Sequence, residues 1–404
     1  MTHKVVAILG TLDTKGEEFA FLKQRIETQG VSTLVIDAGI LGSPSFSPDI
    51  RAAEVAEAGG ADLARLVEER DRGRAVTVMS EGAAAIVARL YDEGRIDGIV
   101  SMGGGGGTAV GTAAMRALPV GVPKLMISTL ASGDVSAYVG AKDITMMPSV
   151  VDIAGINRLS MRILTNAAGA IAGMVKAEAP SGLHDKPLIA ATMFGVTTPC
   201  VTRAREVLEE AGYEVLVFHA TGTGGRSMEE LVSAGFIAGV LDLTTTELAD
   251  ELVGGVLSAG PRRLEAAGAA GVPQVVSLGA LDMVNFGAPE TIPDTFRDRT
   301  FYRHNPQVTL MRTTVEENAE LGRIIGGKLA RAKGPTVVMV PKKGVSLIDV
   351  EGQPFHDPAA DEALFDALKA ELHGNVEVVE MDLDINANAF AERAAELLLA
   401  RLKT

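Results

Sequence analysis

The sequence is short of several residue types, and each shortage narrows what the chain can be. It has a single cysteine, Cys200, in 404 residues. An internal disulfide is therefore excluded, and a reducing compartment is expected. Tryptophan is absent and aromatic residues make up 4% of the chain. The core must then be built from Val, Ile, Leu, Ala and Met, as where helices pack on parallel sheets. No apolar run reaches the roughly 18 residues that a membrane span needs, so no membrane partner is expected. Met1-Thr2-His3-Lys4 leads into an apolar strand without the apolar stretch and cleavage site of a secretory signal. These features point to a cytoplasmic protein. Positive charge is also scarce: 37 Lys and Arg stand against 52 Asp and Glu, for a net charge of −15. A general nucleic-acid binder needs a basic face and is excluded. The six histidines show no paired spacing, which leaves no zinc motif.

Short apolar runs alternate with helical patterns throughout, the signature of an α/β protein with mainly parallel sheets. Strands are expected in the first half at Val5–Leu9, Ser32–Asp37, Ala75–Met79, Gly98–Met102 and Lys124–Ser128. In the second half they are expected at Leu188–Thr192, Glu214–His219, Gly239–Leu243, Gln274–Leu278, Val308–Met311, Thr336–Val340 and Val376–Met381. Helices are expected at Glu17–Thr28, Gly82–Asp92, Val201–Ala211, Val315–Arg331 and Phe390–Lys403. Turn residues over Glu178–Lys186 mark a boundary between a domain at 1–182 and a second at 183–404. The halves repeat each other weakly: Val5–Leu9 and Leu34–Asp37 match Leu188–Ala191 and Leu216–His219. Two Rossmann-like domains facing a cleft are expected, with the ligand in that cleft. Asp152–Ala177 reads as one long helix with Gly169 and Gly173 four apart. Its charges rule out a membrane reading, and close packing within the protein or in a homo-oligomer is expected.

Gly103, Gly104, Gly105, Gly106 and Gly107 stand in a row between a strand and a helix that begins near Thr108. Such a run is costly in backbone freedom unless something must approach the main chain. Free N–H groups and a positive helix end at that junction suit a phosphate or carboxylate. The loop Gly10–Gly16 also follows a strand and offers Thr11, Asp13, Thr14 and Lys15; its Lys-then-Gly order excludes a P-loop. Ser128–Asp134 crowds hydroxyls beside Asp134, with Gly279–Asn285 and its Asp282 as counterpart. Thr221–Arg226 is a second glycine-rich junction, and Thr244–Glu247 reads either as cleft lining or as a helix cap. Arg303 and His304 are the best acid–base candidates in the chain, since a histidine can exchange a proton and Arg303 suits a carboxylate. Cys200 reads as a small buried residue, Asp357-Pro358 as a helix start, and Lys342–Ser346 as a basic turn.

Gly10–Glu17, Ser101–Thr108, Ser128–Asp134 and Pro341–Ser346 together resemble the UPF0261 family, also called Tm-1-like ATP-binding domain proteins, over essentially the whole chain. The resemblance implies two Rossmann-like subdomains and binding of ATP with Mg²⁺. Carried onto the matching loops, Gly103–Gly107, Ser132 and Gly133 would hold the nucleotide, with Thr11, Thr14 and Thr108 adding hydroxyl bonds. Lys15 would balance charge, and Asp13 or Asp134 would hold Mg²⁺. Plant members carry a TIM barrel after this region; its absence here raises the expectation of a separate TIM-barrel partner. Their antiviral action is not carried over. Three functions stay open: an ATP·Mg²⁺-binding protein, an enzyme acting on a phosphorylated or carboxylated metabolite through His304 and Arg303, and a non-catalytic ligand sensor.

Overall fold

A computed structural model describes residues 4–178, 186–374 and 376–403. The chain divides into two compact units, residues 1–181 and 182–404. Most of the segment read as a boundary, residues 179–185, lies outside the described residues.

The first unit is a five-stranded sheet of β1 (Val5–Gly10), β2 (Ser32–Asp37), β3 (Gly98–Gly103), β4 (Lys124–Ser128) and β5 (Thr145–Pro148). The order is β2-β1-β3-β4-β5 and every pairing is parallel. β1 is apolar at successive positions because both its faces are covered. Ala7 and Leu9 join one core with Ile36 and Ile99, while Val6 and Ile8 join another with Val35 and Val100. Helix α1 (Gly16–Glu27) covers the second core with Phe19, Leu22 and Ile26. The other face carries α2 (Ala52–Ala58), α3 (Leu63–Glu69), α4 (Arg72–Asp92) and α5 (Gly105–Arg116). A short α6 (Ser136–Val139) precedes α7 (Arg158–Lys176), which returns to pack beside α1.

Two expectations fail here. Ala75–Met79 is the start of α4, not a strand. Its β-branched residues look strand-like, but Ala75, Val78, Met79, Gly82, Ala83 and Ile86 are buried at helical spacing, and Asp71 caps the helix by accepting from Arg74 N at 3.0 Å. The fifth strand is instead Thr145–Pro148, a half-exposed edge too short to show a pattern. The long helix starts at Arg158 rather than Asp152, because Asn157 accepts from Leu159 N and Ser160 N and fixes the first turn there. Within its own unit α7 buries Leu164, Ala168, Ile171 and Val175, while Gly169 and Gly173 face open space. Those two glycines therefore do not serve packing inside the unit.

The second unit contains β6 (Leu188–Met193), β7 (Glu214–His219), β8 (Ile237–Thr244), β9 (Gln274–Gly279), β10 (Met283–Phe286), β11 (Phe301–Asn305), β12 (Val308–Arg312), β13 (Thr336–Pro341) and β14 (Val376–Met381). Six of them form a parallel sheet in the order β14-β13-β9-β8-β6-β7. Val308–Met311 does not enter that sheet; it lies in a separate antiparallel sheet of order β10-β12-β11. Helices α8 (Thr198–Glu210), α9 (Thr223–Ser233) and α10 (Glu247–Val253) follow β6, β7 and β8. Cys200 is buried at the start of α8, and burial pushes its thiol up to about 12. Asp357 caps the helix at Pro358–Glu371 by accepting from Ala360 N at 3.2 Å.

The contact of α2 with α4 depends on Gly82, where an added Cβ would stand 1.8 Å from the Val55 carbonyl oxygen. Helix propensity alone would make Gly82→Ala stabilising by about 1 kcal/mol. The expected outcome is a loss of about 1–3 kcal/mol by urea denaturation, because overpacking wins.

Candidate functional site

In the first unit the chain leaves β1 toward β2 on one side and returns to β3 on the other. The carboxyl ends of β1 and β3 are therefore a topological switch point, where open α/β sheets bind ligands. A cavity of about 730 Å³ opens there. Its floor is Gly104–Gly107 after β3, and its side is Thr11, Asp13, Thr14 and Lys15 after β1. Two loops more than eighty residues apart in sequence thus meet.

The five glycines divide by role. Gly103 ends β3 and a Cβ there would stand 2.7 Å from Gly107 Cα; one on Gly107 would stand 3.2 Å from Met102 O. These two permit the tight strand-to-helix turn. A Cβ on Gly105 meets nothing within 4 Å, and on Gly104 or Gly106 nothing nearer than 3.6 Å. Those three leave space open above the helix end. Gly104 is the N-cap and offers no side chain, so the N–H groups of Gly105, Gly106 and Gly107 have no intrahelical acceptor. They and the helix dipole point into the cavity.

Thr14 donates to Thr11 at 3.1 Å, and Lys15 Nζ donates to the Ile153 carbonyl at 2.5 Å, anchoring both side chains at the rim. Asp13 is held by one oxygen: Oδ2 accepts from Leu41 N at 2.7 Å, while Oδ1 is buried without a partner. Gly39 makes room for this carboxylate, since a Cβ there would lie 2.5 Å from its Cγ. The rest of the lining is largely apolar, with Ile40, Leu41, Leu66, Val67, Val76 and Met79, and carries Arg70, Asp71 and Arg72 from the α3–α4 turn. The sequence hides this part of the lining because the strand-like composition of Ala75–Met79 masks the helical hairpin. The signal was present in Asp71, a capping residue placed just before the run.

Other expected residues go elsewhere. Thr108 is buried, and its hydroxyl shares a 2.7 Å hydrogen bond with Ser128 beneath the loop. Ser132, Gly133 and Asp134 do not line the cavity. Asp134 instead accepts from Ser136 N at 2.9 Å; hydrogen bonds from Ser136 hold its carboxyl below the usual range. Arg303 and His304 are exposed on β11, an outer strand of the antiparallel sheet, with a register shift between Arg303 and Asn305. Among the described residues no group of three or more His, Cys, Asp or Glu could hold a metal ion.

The corresponding switch point of the second unit, at β6 and β8, is filled by the chain itself. The junction Thr221–Arg226 was expected to bind an external anion. Its anion is Glu247: Oε1 accepts from Gly222 N at 2.6 Å and Gly225 N at 3.0 Å. Oε2 accepts from Arg263 Nε at 2.6 Å, and a Cβ on Gly225 would lie 2.0 Å from it. Arg263 is fully buried and also meets Asp242 in two bonds of 2.5 and 2.7 Å. Glu247 is therefore not the partner of a Thr244 cap; Thr244 bonds Thr197 at 2.8 Å, and α10 begins at Glu247 itself. A second buried cluster gathers Asp282, Asp349 and Asp361 around Arg312, with Ser346 on Asp282 at 2.8 Å. Burial, then the charges of Asp282 and Asp361, push Asp349 up to about 9. Burial likewise raises Asp282 to about 6 and lifts Asp361.

The UPF0261 N-terminal domain, described as an uncharacterised protein family, matches residues 4–180, and its C-terminal domain matches residues 186–402. The chain belongs to the UPF0261 family. It is 58% identical to a UPF0261 protein of Clostridium tetani over 98% of both chains, and 49% identical to one of Rhizobium meliloti over 97% of both. It is also 40% identical to the tomato ToMV resistance protein Tm-1(GCR237), covering 98% of this chain and 55% of that protein. Among solved structures, a UDP-N-acetylglucosamine 2-epimerase of Rickettsia bellii is similar at 10% identity and a TM-score of 0.23, covering 68% of this chain and 79% of that one.

Two outcomes follow from the buried charges of this UPF0261 member. Glu247→Ala leaves two buried N–H groups and one side of Arg263 unpaired, and is expected to cost about 3–5 kcal/mol in urea denaturation. The cluster on Arg312 sets a pH dependence. Its carboxyls bind protons more tightly folded than unfolded, so their contribution is complete below about pH 4 and is lost as pH rises toward 9. Stability should fall between pH 5 and pH 9, and Asp349→Asn should flatten that fall. An unchanged slope would mean that Asp349 carries no proton.

Proposed function

We propose that this protein binds a phosphate-bearing small molecule in the first unit, at the β1–β3 switch point, with ATP·Mg²⁺ as the ligand tested first. The observation that carries the reading is the open space above Gly104, Gly105 and Gly106, toward which free main-chain N–H groups point. Thr11, Thr14 and Lys15 line the same space and suit phosphate oxygens. The likeness of these loops to the Tm-1-like ATP-binding proteins adds the nucleotide.

The residues also fit a bound Mg²⁺. Asp13 Oδ1 is a buried carboxylate oxygen without a partner, and Mg²⁺ commonly uses one or two carboxylates with phosphate and water. Asp13 would hold the ion, and the ion would supply neutralisation of phosphate charge. Asp134 is not part of this reading, because its carboxylate is committed to Ser136. Arg303 and His304 have no place in it either, since neither lines the cavity. The proposed role is therefore ligand binding, with no residue assigned to a chemical step.

Isothermal titration with Mg-ATP tests the reading. Wild-type protein should bind, and Gly105→Leu should weaken binding at least tenfold while leaving the urea midpoint unchanged or raised, because its side chain enters open space on a helix. Asp13→Asn should reduce the gain in affinity that Mg²⁺ gives. Absence of heat at millimolar Mg-ATP would defeat the proposal.

A further inference from the structure

We infer that Arg72 is the residue that selects the ligand's anionic group, making the site one for phosphorylated compounds with a flat, weakly polar body. This rests on the reading of the glycine loop given above. Arg72 opens α4 and lines the cavity, and its Nη2 lies 3.9 Å from where a Cβ on Gly106 would stand. No ion pair or hydrogen bond of its guanidinium occurs among the described residues. Two of its neighbours are already committed. Arg74 pairs with Glu69 at 3.2 Å, and Asp71 Oδ1 accepts from Arg74 N at 3.0 Å. Lys15, across the cavity, is held by the Ile153 carbonyl. Arg70 and Arg72 are thus the guanidiniums of the cavity with no protein partner among the described residues, and Arg72 is the one beside Gly106.

The turn before Arg72 adds a second guanidinium. Arg70 takes a left-handed φ of 52°, a conformation in which glycine is cheaper, yet a long basic side chain stands there and lines the cavity. The donors then comprise three main-chain N–H groups and a planar guanidinium fork. A phosphoryl group, with three terminal oxygens on one centre and close to two charges, matches that set better than a carboxylate with two oxygens and one charge. Behind the donors, Leu41 and Val67 are 80% and 47% exposed. With Ile40, Val76 and Met79 they form a wall without hydrogen-bonding side chains. A ring face laid on that wall would cover apolar surface and keep polar edges toward water.

Titration calorimetry with ATP, tripolyphosphate, adenosine and malonate tests the inference on wild type, Arg72→Ala, Arg72→Lys, Gly105→Leu and Val67→Ser. Wild type should prefer tripolyphosphate to malonate at least tenfold. Arg72→Ala should weaken ATP and tripolyphosphate by roughly ten- to a hundredfold and erode the preference over malonate. Arg72→Lys should recover part of the affinity. Val67→Ser should weaken ATP and adenosine while sparing tripolyphosphate. If Arg72→Ala binds tripolyphosphate as wild type does while Gly105→Leu loses it, the role of Arg72 is overturned and the glycine-loop site survives. If Gly105→Leu also binds normally, the glycine-loop reading falls and this inference falls with it.

Discussion

Main-chain polar groups at the carboxyl edge of a parallel sheet need partners, and this constraint shapes both units. Where the connections reverse direction, helix N-termini arrive with N–H groups that their own helices cannot use. Each unit meets the requirement differently. The first leaves Gly105, Gly106 and Gly107 open to a cavity. The second sends Glu247 from α10 to the start of α9 and backs it with Arg263. The glycines in the two places differ in their surroundings: a Cβ on Gly105 would meet open space, whereas Gly225 leaves room for Glu247 and Arg263.

Buried charge in the second unit follows the same logic. Arg263 is wholly removed from water, and so are the carboxylates of Asp242 and Glu247 that meet it. Removing such groups from water costs several kcal/mol each, so each must be matched nearly atom for atom. Around Arg312 the match is incomplete, with three carboxyls for one guanidinium, and burial shifts all three toward holding protons. Polar groups here fix how β9, β12 and β13 end and hold the turns after them in one arrangement.

Much of the fold was legible because parallel strands covered on both faces must be apolar throughout. Val5–Leu9, Gly98–Met102 and Thr336–Val340 read correctly for that reason. The failures have physical causes. Ala75–Met79 has strand-forming residues, but its burial period belongs to a helix fixed at its start by Asp71. Thr145–Pro148 is an edge too short to carry a period. The site was half legible. Glycine runs and strand-end loops announced Gly104–Gly107 and Thr11–Lys15, because backbone conformation is written into residue type. Arg70, Arg72 and the apolar wall were not, since only the fold brings the α3–α4 turn over the glycines. The sequence suggested Glu247 as the partner of a Thr244 cap, which it is not, and hid its role as a plug, because its main-chain partners lie more than twenty residues earlier.

The carboxylate of Glu247 gives the second lobe a counter-ion that is part of its own covalent chain. Its local concentration never varies, so its contribution to stability needs no solute. Among the described residues the first lobe has no such tethered guest, and the proposed ligand would add stability only with the logarithm of its supply. With the proposed ligand, one chain would join a half that carries its own counter-ion to a half stabilised from outside.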